Sequence, residues 1–256
     1  GLLSLLAWGL GYVGQPHILA RFMAVENAQK IRPARRIAMV WMLIVLCGSV
    51  TTGLAGIAYF ADQPLANPET VFIVLSQSLF NPWVAGIITA AILSAIMSTI
   101  DSQLLVSSSV ISEDFYRVFI KPKASEKELL LVSRIAVVAI AVLALFIASD
   151  RESRVLDLVS YAWAGFGAAF GPVIVFSLFW RKMTAMAAIV GMIIGAVTVV
   201  VWSNLEGGIF DLYEIVPGFV FASLAVIGIS LMKPQQGQIA LQQFDEAASL
   251  LEETQQ

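Results

Sequence analysis

Three stretches of this chain set polar or conformationally unusual residues inside apolar sequence, and each suggests a chemistry. The first is Trp8-Gly9-Leu10-Gly11-Tyr12-Val13-Gly14-Gln15-Pro16-His17. Three glycines and a proline in ten residues make a poor continuous helix. Proline removes a backbone donor, and glycine weakens the turns around it. In hydrocarbon a broken helix survives only where protein or a wet cavity satisfies its freed backbone groups. Such breaks can present carbonyls and helix ends to a transported solute. The same pattern also suits a kink packed closely through glycine. Trp8 and Tyr12, one turn apart, share a face and either wall a small-molecule site or simply pack. His17 reads as a satisfied polar residue rather than a ligand.

The second stretch supplies oxygen. At about 100° per residue, Ala95, Ser98, Thr99 and Ser102 fall on one helical stripe. Hard cations prefer oxygen ligands, and two adjacent hydroxyls with main-chain carbonyls would form part of a shell for Na⁺. Small Ala95 admits a neighbouring backbone, and its carbonyl is a further ligand candidate. Asp101 lies deeper and off the stripe, where an ionisable group either draws cations along a path or caps a neighbouring helix. The alternative for the hydroxyls is a bond back to the carbonyl one turn earlier, or helix pinning. The third stretch runs from Ser160 through Tyr161, Trp163, Ala164 and Gly165 to Gly171-Pro172. Its small residues allow close helix approach, and the Gly-Pro pair allows a bend that would suit a gate. Asp157, at the start of that segment, reads as a helix N-terminal cap. Gly191 and Gly195 form a GxxxG, a packing signal.

The elements that hold these residues must be membrane helices. Of the 256 residues, 59% are hydrophobic and only 13% charged. A soluble domain is about 45–50% apolar and about 25% charged, so a soluble enzyme and a disordered chain are excluded. A net charge of −3 offers no footprint for nucleic acid. One cysteine, Cys47, precludes a disulfide within the chain, and one histidine precludes a multi-histidine metal centre. No catalytic triad, P-loop or HExxH is present, so no enzyme chemistry and no organic cofactor are expected.

A spanning helix needs about 20 apolar residues. Seven segments qualify: Leu2–Met23, Ile37–Phe60, Trp83 to beyond Leu105, Leu129–Ser149, Val155–Trp180, Ala185–Trp202 and Val216–Met232. Val71–Phe80 is too short to span and suits an interfacial helix. The expected fold is therefore all-α integral membrane, with residues 1–233 forming the transmembrane region and 234–256 a tail. That tail is Gln-rich and acidic, and reads as solvated; Phe244, Ala247, Leu250 and Leu251 also recur at the spacing of a marginal amphipathic helix. If the first loop is cytoplasmic, the inner side collects every lysine and arginine except Arg151 and Arg154. That distribution puts the C-terminus in the cytoplasm. The chain starts with Gly1 and enters apolar sequence at once, as expected of the C-terminal part of a longer protein.

The segments WGLGYVGQPHILARFMA and AILSAIMSTIDSQLLVSSSVISEDFYR closely resemble the sodium:solute symporter family, its proline-carrying bacterial branch in particular. LVSYAWAGFGAAFGPVIVFSLFW, KASEKELL and LYEIVPGF are similar too, so the resemblance covers nearly all of residues 1–233. It implies a leucine-transporter-type core of five-plus-five inverted repeats. The first five spans here would be the second repeat, and the last two a peripheral extension. It further implies Na⁺-coupled uptake of L-proline across the bacterial inner membrane, with Na⁺ as coupling ion. The lipid bilayer and an N-terminal half of the same transporter would be the partners. By resemblance, Ser98 and Thr99 match sodium-ligand hydroxyls and Ala95 a carbonyl ligand. Trp8, Tyr12 and Pro16 match positions implicated in substrate binding. Asp101 and Ser102 would lie on an ion path. The segment holding Tyr161, Trp163 and Ala164 matches a helix that helps close the gate. Ala164 stands where sugar-carrying relatives place a polar side chain, which argues against a sugar. The alternatives are another small solute within the family, or a symporter-like sensory membrane domain.

Overall fold

The computed structural model describes residues 2–149, 154–232 and 238–253. Arg151 and Lys233, both used in the charge count, lie outside the described residues. Among the described residues there are ten α-helices: α1 (Leu2–Gly11), α2 (Pro16–Met23), α3 (Ile31–Tyr59), α4 (Val71–Leu79), α5 (Pro82–Ser109), α6 (Glu126–Ala148), α7 (Val155–Phe179), α8 (Ala185–Trp202), α9 (Ile215–Met232) and α10 (Gln238–Glu253). Among the described residues there is no strand.

Six of these helices, α3 and α5–α9, are long and apolar enough to cross a membrane. The first segment departs from the seven expected spans. Residues 2–23 are not one helix but α1, a 3₁₀ turn over Tyr12–Gly14, an extended Gln15 and then α2. Pro16 opens α2 at its first position, where its missing N–H costs nothing. α3 begins before its apolar run, because Pro33 falls in the first turn, where no intrahelical donor is lost. Asn81 and Thr184 cap α5 and α8, each side-chain oxygen accepting a backbone N–H in the first turn. Asp157 is not a cap. α7 starts from Arg154 without a side-chain cap bond, which leaves Asp157 in the first turn, where its charge faces the helix N-terminus.

Beyond Ser109 the α5 backbone widens into a π-helix, Val110–Ile120. At the transition the buried Ser112 hydroxyl donates to the carbonyls of Ser108 (2.9 Å) and Ser109 (3.3 Å). A hydroxyl that competes for ladder carbonyls in this way favours a change of winding. The tail also differs from a solvated coil. It forms α10, whose Asp245 accepts from both the Nε and an Nη of Arg181, each at 2.8 Å.

The chain divides into two compact units. One holds Gly1–Ala24 with Val142–Gln256, and the other Val25–Ala141. In the first, α7, α8 and α9 pack on one another, and α1 packs on α7 and α9. Its core joins Ala7, Ala164, Ala168, Val199 and Ile215. The GxxxG glycines make this packing possible. A Cβ on Gly195 would lie 2.3 Å from the Ala168 carbonyl oxygen, and one on Gly191 2.5 Å from Val226 Cγ2. In the second unit α3 meets α4, and α4 meets α5. The π-helical end of α5 is tied to α6 by Tyr116, whose hydroxyl donates to Glu128 at 2.7 Å, and Lys121 pairs with the same carboxylate at 2.8 Å.

Candidate functional site

The unit containing α1 and α7 gathers one set of candidate residues around the break in the first segment. A helix interrupted at Gly11–Gln15 leaves carbonyls without their usual i+4 donors. Trp163, on α7, answers one of these needs and also holds the Gln15 side chain. Its indole Nε1 donates to the Trp8 carbonyl at 2.9 Å, and its own carbonyl accepts from the Gln15 side-chain amide at 3.3 Å. Gln15 is 4% exposed, so this amide is a buried polar group with a partner. The glycines are what let Trp163 enter. An ideal Cβ on Gly11 would sit 1.9 Å from Trp163 Nε1, and one on Gly14 2.4 Å from the Phe166 carbonyl oxygen.

Aromatic rings line the same region. Trp8 lies nearly parallel to Trp163, with centroids 5.5 Å apart, and to Tyr213, 6.2 Å away. Tyr12 meets Trp163 edge-on at 4.8 Å. These are the favoured offset-stacked and edge geometries, and they hold the rings in fixed orientations. Tyr12 remains 40% exposed within the chain. Pro16 begins the second half of the break and is partly buried. Ala164 is fully buried in the core, one residue from Trp163, whereas Tyr161 is exposed. The structure thus brings together Trp8, Tyr12 and Trp163, sets Pro16 beside them in sequence, and keeps Tyr161 apart.

The unit containing α5 holds the second set. The Ser98 hydroxyl donates to the Ala95 carbonyl at 2.8 Å, and the Thr99 hydroxyl reaches the same oxygen at 3.3 Å. The Ser102 hydroxyl donates to the Ser98 carbonyl at 2.9 Å. Three oxygens, those of Ala95, Ser98 and Thr99, therefore converge on one turn of α5. This is also the back-bonding that a serine or threonine makes in any apolar helix. Ala95, Ser98, Thr99 and Asp101 are all exposed within the chain, and Asp101 lies on the turn beyond. Among the described residues no group of His, Cys, Asp or Glu could hold a metal ion.

Two residues of the aromatic site are additions to the sequence reading. Gln15 carried a signal, since it is the one amide in the broken stretch. Tyr213 carried none beyond its place in LYEIVPGF, because its partners come from the far end of the chain.

The model of the sodium:solute symporter family matches residues 1–195. The sodium/proline symporter of Haemophilus influenzae is 54% identical over 99% of this chain and 52% of its own length. That of Escherichia coli is 52% identical over 96% of this chain and 50% of its own. The high-affinity proline transporter PutP of Bacillus subtilis is 49% identical over 96% and 52%. The chain thus spans about half the length of these relatives. No solved structure matches it. With a family match over residues 1–195 and about half of all positions identical to these relatives, the chain belongs to the sodium:solute symporter family.

Proposed function

We propose that the transporter containing this chain takes up L-proline together with Na⁺ by alternating access. The observation that carries the reading is the identity of about half of all positions to sodium/proline symporters across nearly the whole chain. The geometry supports it. Proline is small, apolar in its ring and charged at both ends. Aromatic rings at Trp8 and Tyr12 suit the ring, while the break around Gly14–Pro16 offers backbone dipoles to the charged groups. Na⁺ is held by the Ala95 carbonyl and the Ser98 and Thr99 hydroxyls, which rotate from their back-bonds to the ion. The remaining ligands come from the other half of the transporter. Asp101 and Ser102 lie on the ion's path, and Tyr161, Trp163 and Ala164 belong to the gate.

In this reading α1 and α2 together form one membrane segment, giving seven with the six continuous spans. The segments through α7 form the second of two inverted repeats, and α8 and α9 are peripheral. Residues 1–233 are the transmembrane region, and residues 234–256 are a tail on the cytoplasmic side of the bacterial inner membrane.

The test is radiolabelled L-proline uptake by the full-length protein in proteoliposomes, under an inward Na⁺ gradient and under an equal K⁺ gradient. Uptake is expected with Na⁺ alone, and it is lost in the double variant Ser98→Ala/Thr99→Ala. Equal uptake under both gradients would sink the sodium coupling. No uptake by folded protein under either would sink proline as the solute.

A further inference from the structure

We infer that Tyr213, in the segment between α8 and α9, is a positioning residue for the substrate site, fixing the Trp8 ring and tying α1 to α7. Three contacts of this one residue point that way. Its ring lies 17° from parallel to Trp8. Its hydroxyl donates to the Ser160 carbonyl of α7 at 2.7 Å. Its backbone N–H approaches the Ser4 hydroxyl of α1 at 3.4 Å. One side chain thus joins both walls of the aromatic site. Burial pushes the Tyr213 phenol well above the usual tyrosine range, so it stays a donor at every physiological pH.

The segment before it is built to hold this residue still. Gly207 and Gly208 take positive φ, 89° and 65°, a region open to glycine at little cost. The Asp211 carboxylate accepts from the Gly207 N–H at 3.0 Å and closes the turn. The Trp202 indole donates to the Leu212 carbonyl at 3.0 Å and stacks edge-on with Phe210. The carbonyl directly before Tyr213 is therefore anchored to the end of α8. The order runs from Trp202 through Leu212 and Tyr213 to Trp8, and from Trp8 to Trp163. Helices assigned above to the periphery thereby set the geometry of the solute site.

This inference rests on Trp8 lining the solute site. Its test uses the full-length transporter in proteoliposomes with Tyr213→Ala, Tyr213→Phe and Trp202→Phe. Tyr213→Ala is expected to raise the KM for proline about tenfold, with the maximal rate and the Na⁺ half-saturation within about twofold. Tyr213→Phe, which keeps the ring and loses the hydroxyl, should recover most of the affinity. Trp202→Phe, which frees the Leu212 carbonyl, should fall between them. A Tyr213→Ala protein with unchanged KM overturns the inference, and so does one that loses rate alone. If Tyr213→Ala does not fold, Tyr213→Leu fills the space without stacking and takes its place.

A wild-type protein that carries no proline would instead defeat the functional reading. The positioning role is then read on Trp8 itself, by acrylamide quenching taken as the difference between chains with and without Trp8→Phe. Greater quenching in Tyr213→Ala upholds the role, and unchanged quenching overturns it.

Discussion

The two units of this chain have the same apolar character and very different internal packing. In the spans α7, α8 and α9, 33%, 22% and 33% of the most apolar window is buried inside the chain. In α3, α5 and α6 the figures are 0%, 6% and 6%. Hydropathy is as high in the second group as in the first, so composition does not separate them. Small residues do. Gly11, Gly14, Gly167, Gly171, Gly191, Gly195 and Gly218 each have a neighbour where a Cβ would go, and all lie in the unit of α7–α9, where Gly9, Gly165, Gly207, Gly208 and Gly228 face open space. In the other unit Gly48, Gly53 and Gly86 face open space, and Gly56 alone meets a side chain, that of Val71. In lipid there is no hydrophobic drive between helices, so close backbone approach and polar contacts decide which helices adhere. One unit satisfies itself. The other leaves faces exposed within the chain, the Ser98–Thr99 turn among them.

The sharpest way to break this comparison is to crowd a glycine of the packed unit. Gly11→Ala puts a methyl where Trp163 Nε1 stands, and the indole cannot withdraw without giving up its bond to the Trp8 carbonyl. Overpacking costs about 1–3 kcal/mol, and the lost bond to a buried carbonyl adds about 1–3 more. Against a total stability of about 5–15 kcal/mol, that sum threatens folding. Thermal unfolding of the detergent-solubilised full-length protein should show the largest drop of any variant discussed here. A melting temperature within a degree or two of wild type would refute the packing assigned to Trp163.

The matching change in the other unit is Gly86→Ala, which meets nothing within 4 Å. Its expected effect in the same melt is neutral to slightly stabilising, by up to about 1 kcal/mol, because alanine is the better helix former. A marked loss would mean that the rest of the transporter packs directly on α5 at that position, which sharpens the comparison rather than ending it.

The third variant pair, Ser98→Ala and Thr99→Ala, separates structure from function. Among the described residues each hydroxyl bonds only within its own helix, so removal should leave the melt nearly unchanged. The concentration of Na⁺ for half-maximal uptake should rise about tenfold or more, the effect of about 1.4 kcal/mol. A fall in melting temperature with unchanged Na⁺ dependence would return both residues to helix packing.

How far the sequence foretold this varies with the range of the interaction. The break at Gly14–Pro16 was legible because glycine and proline act on their own backbone, and the hydroxyl turn because residues three and four apart share a helix face. The early start of α3 was missed because counting apolar residues skips Arg32, Pro33, Arg35 and Arg36, all of which a first helical turn accepts. The seven-span expectation counted residues 2–23 as one segment with a break in it, and α1 and α2 flank that break. Tyr213 was invisible because its meaning lies in Ser4, Trp8 and Ser160, which only the fold brings near. Trp163 was singled out for a gate, and its bonds to the Trp8 carbonyl and the Gln15 amide add a structural role that no spacing rule predicts.

The smallest effect belongs to the tail. Asp245 pairs with Arg181 through two parallel bonds, but both side chains are more than half exposed, so solvent and salt screen the pair. The guanidinium holds the Asp245 carboxyl below its ordinary value of 3.8. A depressed carboxylate stabilises the paired form above the ordinary value, and the contribution is lost as pH falls through the lower, paired value. Attachment of α10 should therefore be constant from neutral pH down to about 4 and weaken only in stronger acid. Added salt should weaken it at any pH. Amide hydrogen exchange in residues 241–249 reads this directly, and Asp245→Asn should show at neutral pH the protection that wild type shows in acid. If protection in α10 is indifferent to both salt and Asp245→Asn, its own helical propensity holds it, and Arg181 is a bystander. That outcome would leave the packed unit resting on its close-packed helices, its aromatic rings and their hydrogen bonds.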